Sequence, residues 1–334
     1  MKPFKMFLLS VLACAMALGP AVVRAGAVPA TATVKVAYLP LQTGAPLWIA
    51  EKEGFFAKQG IRIEWVTFAG GADTIAVLLQ GHLDVGVGGV SAAFFNAVAR
   101  GERVRLVADQ GHIEPYSRAP ALMVRRDLAG GAIKGLADLK GRKIAVNVTG
   151  GLAHYLVARA LVKAGLKPSD IELARLPFPS IYAALQGRSI DAGLLSEPWV
   201  TQARETNVAV AVAGAGELIP DEAVSFIYFG PNLLERNSDL GRRFIVAYVA
   251  GLRQYARGAT ARNVEIVAEY MKADPAIIRK MEWYPMYPDG RVAVNGVRRF
   301  QDWLYETEFI GVRMPVVNLV DARFVEHAAT VAGH

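Results

Sequence analysis

Four short segments of this chain place glycine or proline just before a helical run, a pattern suited to holding an anion. They are Ala69-Gly70-Gly71-Ala72, Gly88-Gly89-Val90-Ser91, Thr149-Gly150-Gly151-Leu152 and Pro177-Phe178-Pro179-Ser180. Glycine lets backbone approach a ligand closely, and the free N–H groups of a helix's first turn favour negative charge. Other candidates sit nearby in the pattern. Gln42 and Thr43 follow a strand pattern and read either as ligand hydrogen-bonders or as a polar loop. Trp48, Phe226 and Tyr228 read as walls of a cleft or as ordinary core. His154 falls on the first turn of an apolar helix, where it is either a packed, uncharged side chain or an indirect support for ligand-holding groups.

Patterns for catalysis are lacking in the sequence. None of the five histidines stands in H-x-x-x-H or H-E-x-x-H spacing, so no metal site is expected. There is no G-x-S-x-G elbow, Walker loop or G-x-G-x-x-G fingerprint. The single cysteine, Cys14, lies near the N-terminus. Asp84 and Asp191 form a pair by repetition, since Leu79-Gln80-Gly81-His82-Leu83-Asp84-Val85-Gly86 returns as Leu185-Gln186-Gly187-Arg188-Ser189-Ile190-Asp191-Ala192-Gly193. Each aspartate follows a helix stop and precedes an apolar strand, which suits a junction-building role better than hydrolysis.

The repeat implies a frame. Strand patterns at 34–39, 61–68, 85–87 and 104–108 alternate with helical runs at 46–56, 73–80 and 91–99. A second series has strands at 121–124, 144–148, 171–176 and 192–195, with a long helix ending near Ala164-Gly165 and another at 180–186. Strand Phe226–Phe229 then leads to a helical tail, expected to cover the first lobe. Alternating β and α elements imply mostly parallel sheets with right-handed crossovers. The expected class is α/β, in two lobes: 34–118 with 226–334, and 119–225. The chain crosses twice between them, which makes a hinge, and clefts between domains are favoured ligand sites.

The first residues read as an export signal over 1–27, with Lys2 and Lys5, an apolar run Phe7–Leu18 and a small-residue cleavage site Ala25-Gly26-Ala27. Cleavage there would take Lys2, Lys5 and Arg24 from a formal charge of +7, leaving a mildly basic exported protein. It would also remove Cys14; lipid anchoring through Cys14 is the alternative, against a poor lipobox. Apolar residues make up 53% and charged residues 20%, a balance typical of a packed globular chain. No cluster of Lys and Arg interleaved with aromatics points to nucleic acid.

Residues Ile133-Lys134-Gly135-Leu136-Ala137-Asp138-Leu139-Lys140-Gly141-Arg142-Lys143-Ile144-Ala145-Val146 resemble the "DLKGKKVAV" signature of periplasmic solute-binding proteins. The resemblance is to the aliphatic sulfonate, taurine and nitrate group of ABC importers, which has thiamine-precursor relatives. Glu51-Lys52-Glu53-Gly54-Phe55-Phe56, the first copy of the repeat, Ala153-His154-Tyr155-Leu156, Glu197-Pro198-Trp199 and Val320-Asp321-Ala322-Arg323-Phe324-Val325 fall in that family's order. It implies a type II periplasmic binding protein that works as a monomer without cofactor or metal. Such a protein closes on a small anionic organic solute and delivers it to a membrane permease and its ATPase.

In that family the anionic head group sits at helix N-termini, chiefly at a loop resembling "GSSAHY". Here the loop reads Thr149-Gly150-Gly151-Leu152-Ala153-His154-Tyr155, with Gly151 and Leu152 in place of the two serines. A bulkier or more apolar anion, such as an aromatic carboxylate or sulfonate, then fits at least as well as a small sulfonate. The resemblance also places Glu197 and Trp199 beside the cleft, Trp199 as a stacking surface and Glu197 as a loop-fixing group or a cation's partner. The rival readings are an enzyme like the thiamine-pathway pyrimidine-precursor synthase, a pyrimidine-precursor binder, and a sensory domain. The synthase's cysteine-rich motif has no counterpart here.

Overall fold

The computed structural model describes residues 31–68 and 74–332. Among these described residues ten strands form two five-stranded sheets. The first contains β1 (Ala32–Tyr38), β2 (Ile61–Thr67), β3 (Val85–Gly88), β4 (Arg105–Asp109) and β10 (Phe226–Phe229), in the order β2-β1-β3-β10-β4. The second contains β5 (Ala121–Arg125), β6 (Lys143–Val146), β7 (Glu172–Arg175), β8 (Ala192–Leu195) and β9 (Ala209–Gly214), in the order β7-β6-β8-β5-β9. β1 pairs parallel with β2 and β3, as β6 does with β7 and β8. β10 and β5 are the antiparallel strands, each between two neighbours of its own sheet. The central strands Val85–Gly88 and Ala192–Leu195 are buried along their whole length, as expected where helices cover both faces of a sheet.

The duplicated phrase does the same mechanical task in both sheets. The Asp84 carboxylate accepts from the Lys35 N–H at 2.8 Å while the Asp84 N–H donates to the Lys35 carbonyl at 2.9 Å. Asp191 treats Lys143 identically, at 3.0 and 2.9 Å. Each aspartate thus pins the incoming strand to the start of its central partner. The following glycines are set by packing. A Cβ on Gly86 would come within 1.9 Å of the Tyr228 ring, and one on Gly193 within 2.4 Å of Ile181 Cγ2.

Some elements differ from their sequence pattern. The run 46–56 is two helices, Ala45–Lys52 and Phe55–Lys58, separated at Glu53-Gly54. Helix Trp199–Glu205 and strand β9 are additional. β9 reads Ala-Val-Ala-Val-Ala-Gly, and alanine's weak strand preference hides its alternation.

The two sheets are joined by crossings at 110–120 and 215–225, which pair antiparallel as a ribbon. Gln110 N–H donates to Ser225 O (3.0 Å), Val224 N–H to Gly111 O (2.7 Å), and Ile113 exchanges both backbone bonds with Asp221 and Glu222 (2.8 Å each). The tail packs on the first sheet's helices: Ser238–Tyr255 lies against Ala45–Lys52 and against Arg323–Ala332. It also reaches the second lobe, which the sequence pattern did not suggest. Helix Val294–Glu306 rests on helix Leu152–Lys163 through Trp303, whose ring lies 5.0 Å from Tyr155 and 5.4 Å from His154. Helix Pro275–Lys280 meets Trp199–Glu205, with Lys280 paired to Glu205. Among the described residues no helix is long and apolar enough to cross a membrane.

Candidate functional site

Parallel strands end at a common edge, and the loops leaving that edge define where a ligand can sit. Here both sheets turn this edge toward one another across a cavity of about 670 Å³. The first lobe supplies Tyr38 to Leu41 and Thr43 after β1, Thr67 and Phe68 at the end of β2, and Gly88 to Ser91 after β3. The second supplies Asn147, Val148 and Gly151 to Ala153 after β6, Arg175 to Pro179 at the end of β7, and Leu194, Ser196 and Trp199 from β8 onward. Pro120, Val224 and Ser225, from the crossing ribbon, complete the lining.

Where the lobes touch, two helix starts face each other. Ser91 precedes helix Ala92–Ala99 and Gly151 precedes Leu152–Lys163, and neither helix has a side-chain cap. Ala92 N–H donates to Gly150 O at 3.1 Å, and Ser91 and Gly151 form a β-bridge, so the lobes are joined here directly. Gly150 is the buried contact point. Its φ is +70°, and a Cβ would stand 3.1 Å from Phe309 and 3.4 Å from Ala92. Its N–H donates to His154 Nδ1 at 3.2 Å, so that nitrogen carries no proton. Burial lowers the His154 pKa, and Trp303 and Phe309 meet its ring edge-on at 5.4 and 5.5 Å. His154 is therefore a packed, neutral side chain holding the turn, and does not line the cavity.

The remaining candidates divide. Thr43, Ser91, Gly151, Leu152 and Trp199 line the cavity together; Trp199 packs its ring 5.7 Å from Tyr182. Gly70, Gly71 and Ala72 lie outside the described residues. Thr149 is exposed and away from the cavity. Gln42 is fully buried and turns away from the cleft, donating through Nε2 to the Tyr255 hydroxyl. Trp48 is a core residue, because the tail covers its helix: its ring stacks on Tyr270 at 5.4 Å with planes 6° apart. Phe226 faces a gap of about 10 Å³ beside Val297 and Phe300, not the cleft, and Tyr228 is buried within the first sheet.

Glu197 is also withdrawn from the cavity. Burial pushes its carboxyl upward, while the carboxylate accepts from Thr201 N (3.0 Å), Thr201 Oγ1 (2.9 Å) and Glu282 N (3.1 Å). It fixes the loop ahead of helix Trp199–Glu205. Behind it lies a brace from the tail. The buried Tyr284 hydroxyl bonds Ser196 Oγ at 2.8 Å and accepts the Glu197 N–H at 3.1 Å. Its carbonyl accepts from the Tyr255 hydroxyl at 2.9 Å.

Sequence reasoning missed Arg175, which ends β7 and is, among the described residues, the one charged side chain lining the cavity. Among the described residues no carboxylate pairs with it. Tyr38 and Phe68 were also missed as lining residues, whereas Phe178 lies in the candidate Pro177–Ser180 turn; each is half-buried. The only signal for Arg175 was its place just before the Pro177 turn, already marked as a candidate loop. Chemically, the lining offers hydroxyls, amide groups, rings and one guanidinium. Among the described residues it has no carboxylate, histidine or thiol to serve as a general base or acid partner.

Comparison with known proteins agrees with this architecture. Residues 27–270 match the NMT1-like family. A taurine-binding periplasmic protein of Escherichia coli is 33% identical over 174 residues, 50% of this chain and 49% of that one. The nitrate/nitrite binding protein NrtA of a Nostoc species is 24% identical over 290 residues, 82% of this chain and 66% of that one. Among solved structures, the alkanesulfonate-binding protein SsuA of Xanthomonas axonopodis bound to MOPS superposes with a TM-score of 0.71 at 21% identity, covering 88% of this chain and 99% of the other. The same fold serves an enzyme, the desulfurization protein DszB, with a TM-score of 0.66 at 18% identity over 90% and 99% of the two chains. Two duplicated α/β lobes, a ribbon hinge and a sequence match over most of the length have one explanation: the chain belongs to the NMT1-like family.

Proposed function

We propose that this protein is the exported solute-binding component of an ABC importer. It captures a small organic anion between its lobes and presents the closed form to a membrane permease and its ATPase. The observation that carries the reading is the cavity itself: both lobes line it, its surface is mainly apolar, and among the described residues its one charge is the cation of Arg175. A cleft lined by two lobes couples occupancy to closure, because a ligand that touches both favours the closed state by its differential affinity. The binding proteins among its relatives support capture and release. The signal-like residues 1–27 and those relatives' roles support export to the periplasm.

The experiment is a thermal-shift and calorimetric screen of the purified mature protein against organic carboxylates, sulfonates, nitrate and organic cations. Stabilisation by organic anions is the expected result. Stabilisation by cations alone, or turnover of a bound anion, would overturn the reading.

A further inference from the structure

The cavity's lining says more about its occupant than charge. We infer that the solute is an aromatic monoanion, a planar ring carrying one carboxylate or sulfonate, whose charge is read by Arg175; this rests on the proposal that the cleft binds organic anions. Four aromatic side chains line the cavity, two from each lobe: Tyr38 and Phe68 from the first, Phe178 and Trp199 from the second. All are half-buried, so part of each is available to a ligand. The positions of Tyr38 and Trp199 are fixed from behind, Tyr38 by its hydroxyl on the Tyr270 carbonyl and Trp199 by the Tyr182 ring. A planar ring entering between such surfaces gains stacking or edge-to-face contact from both sides, beyond simple area burial.

The charge has one place to go. Among the described residues Arg175 is exposed and unpaired, and no carboxylate in the lining opposes it. It ends β7, the edge strand of its sheet farthest from the crossing ribbon, and Phe68 follows β2, the corresponding edge strand of the other sheet. Arg175 and Phe68 thus stand at the open side of the cleft, away from the hinge. An aromatic body directed inward with its anionic group at the mouth satisfies both the rings and the guanidinium, whose planar fork suits two acceptor oxygens of one group. A dianion would leave its second charge without a partner. An inorganic anion such as nitrate would leave most of a 670 Å³ apolar cavity unfilled.

Titration calorimetry on the mature protein tests this with benzoate, 2-naphthoate, benzenesulfonate, cyclohexanecarboxylate, taurine, nitrate and benzylamine as probes. The aromatic anions are expected to bind several-fold more tightly than cyclohexanecarboxylate, roughly the worth of one ring–ring contact. The comparison of benzoate with benzenesulfonate identifies the head group. Arg175→Gln is expected to weaken the aromatic anions roughly ten- to a hundredfold, the value of a charged hydrogen bond. Its melting temperature should not change, because Arg175 is exposed and holds nothing else in place. Arg175→Lys should restore part of the loss. If Arg175→Gln binds as tightly as the parent, or if taurine, nitrate or cyclohexanecarboxylate binds best, the inference is wrong and the organic- or inorganic-anion reading of the cleft is judged by those ligands. If no anion binds, or benzylamine alone does, both fall.

Discussion

Replacing Tyr284 by phenylalanine separates binding from folding in this molecule. The residue is 1% exposed, and its hydroxyl serves Ser196 Oγ at 2.8 Å and the Glu197 N–H at 3.1 Å, both in the second lobe. The tail loop that carries it is tied to the first lobe and the hinge, through the Tyr255 hydroxyl on Tyr284 O and the His112 N–H on Pro285 O, each 2.9 Å. The phenylalanine ring fills the same space, so packing is retained. The dominant loss is the partner of a buried N–H, worth about 1–3 kcal/mol. If those bonds form only when the lobes are closed, that energy is subtracted from closure. Ligand affinity then drops roughly five- to a hundredfold. The assay is calorimetry with the best ligand from the screen, paired with thermal melting of the ligand-free protein. An unchanged dissociation constant with a lowered melting temperature would refute the reasoning, since it would mean that the loop travels with the second lobe and braces the fold alone.

Other outcomes follow from the same geometry. Asp191→Ala and Asp84→Ala each remove a carboxylate that holds a strand N–H, and each should cost about 1–2 kcal/mol in denaturant melts with ligand affinity unchanged; an affinity loss in either would place these aspartates nearer the chemistry than the structure does. Gly193→Ala forces a methyl against Ile181 and should cost about 1–3 kcal/mol by the same melt, so a neutral effect would contradict the packing. Burial pushes the Glu222 carboxyl up to about 7 despite the Arg299 guanidinium 2.6 Å away. The folded state therefore holds that proton more tightly than the unfolded chain, and the stabilisation is complete below the ordinary carboxylate range and lost as pH rises toward 7. Melting temperatures followed from pH 4 to 8 should decline less in Glu222→Gln than in the parent, and equal slopes would count against this site.

The chain order of every strand but β9, the duplication and the place of the cleft could be read from residue patterns because they follow from local signals. Alternation, glycine stops and the repeated aspartate phrase each report on a few neighbouring residues. The division of labour around the cleft could not be read in this way. Trp48 and Gln42 sit on the right loop and helix, yet the tail folds over that helix and draws them into the core, facing Tyr270 and Tyr255. Glu197 reads from sequence as a loop-fixing group or a cation's partner, and only the distant loop at 282–284, which arrives to bond it, decides between the two. Arg175 has the opposite history. A lone arginine at a strand end has no pattern of its own, and only the assembled sheet shows that it stands at the rim of the cavity.

The ribbon that joins the lobes also forms part of the cavity wall through Val224 and Ser225, so it acts as a spine with the ligand resting along it. A two-stranded ribbon bends easily but resists sliding, which limits the lobes to a swing like the covers of a book. In each sheet the outer strand, β2 or β7, lies three strand positions from the nearer ribbon-connected strand, a lever arm of roughly 15 Å. A contact near the spine therefore closes over almost no distance, while a contact at Phe68 or Arg175 travels farthest for the same rotation. Short ligands held only near the spine would be bound without driving the swing. Those long enough to reach the free edges would supply torque as well as affinity.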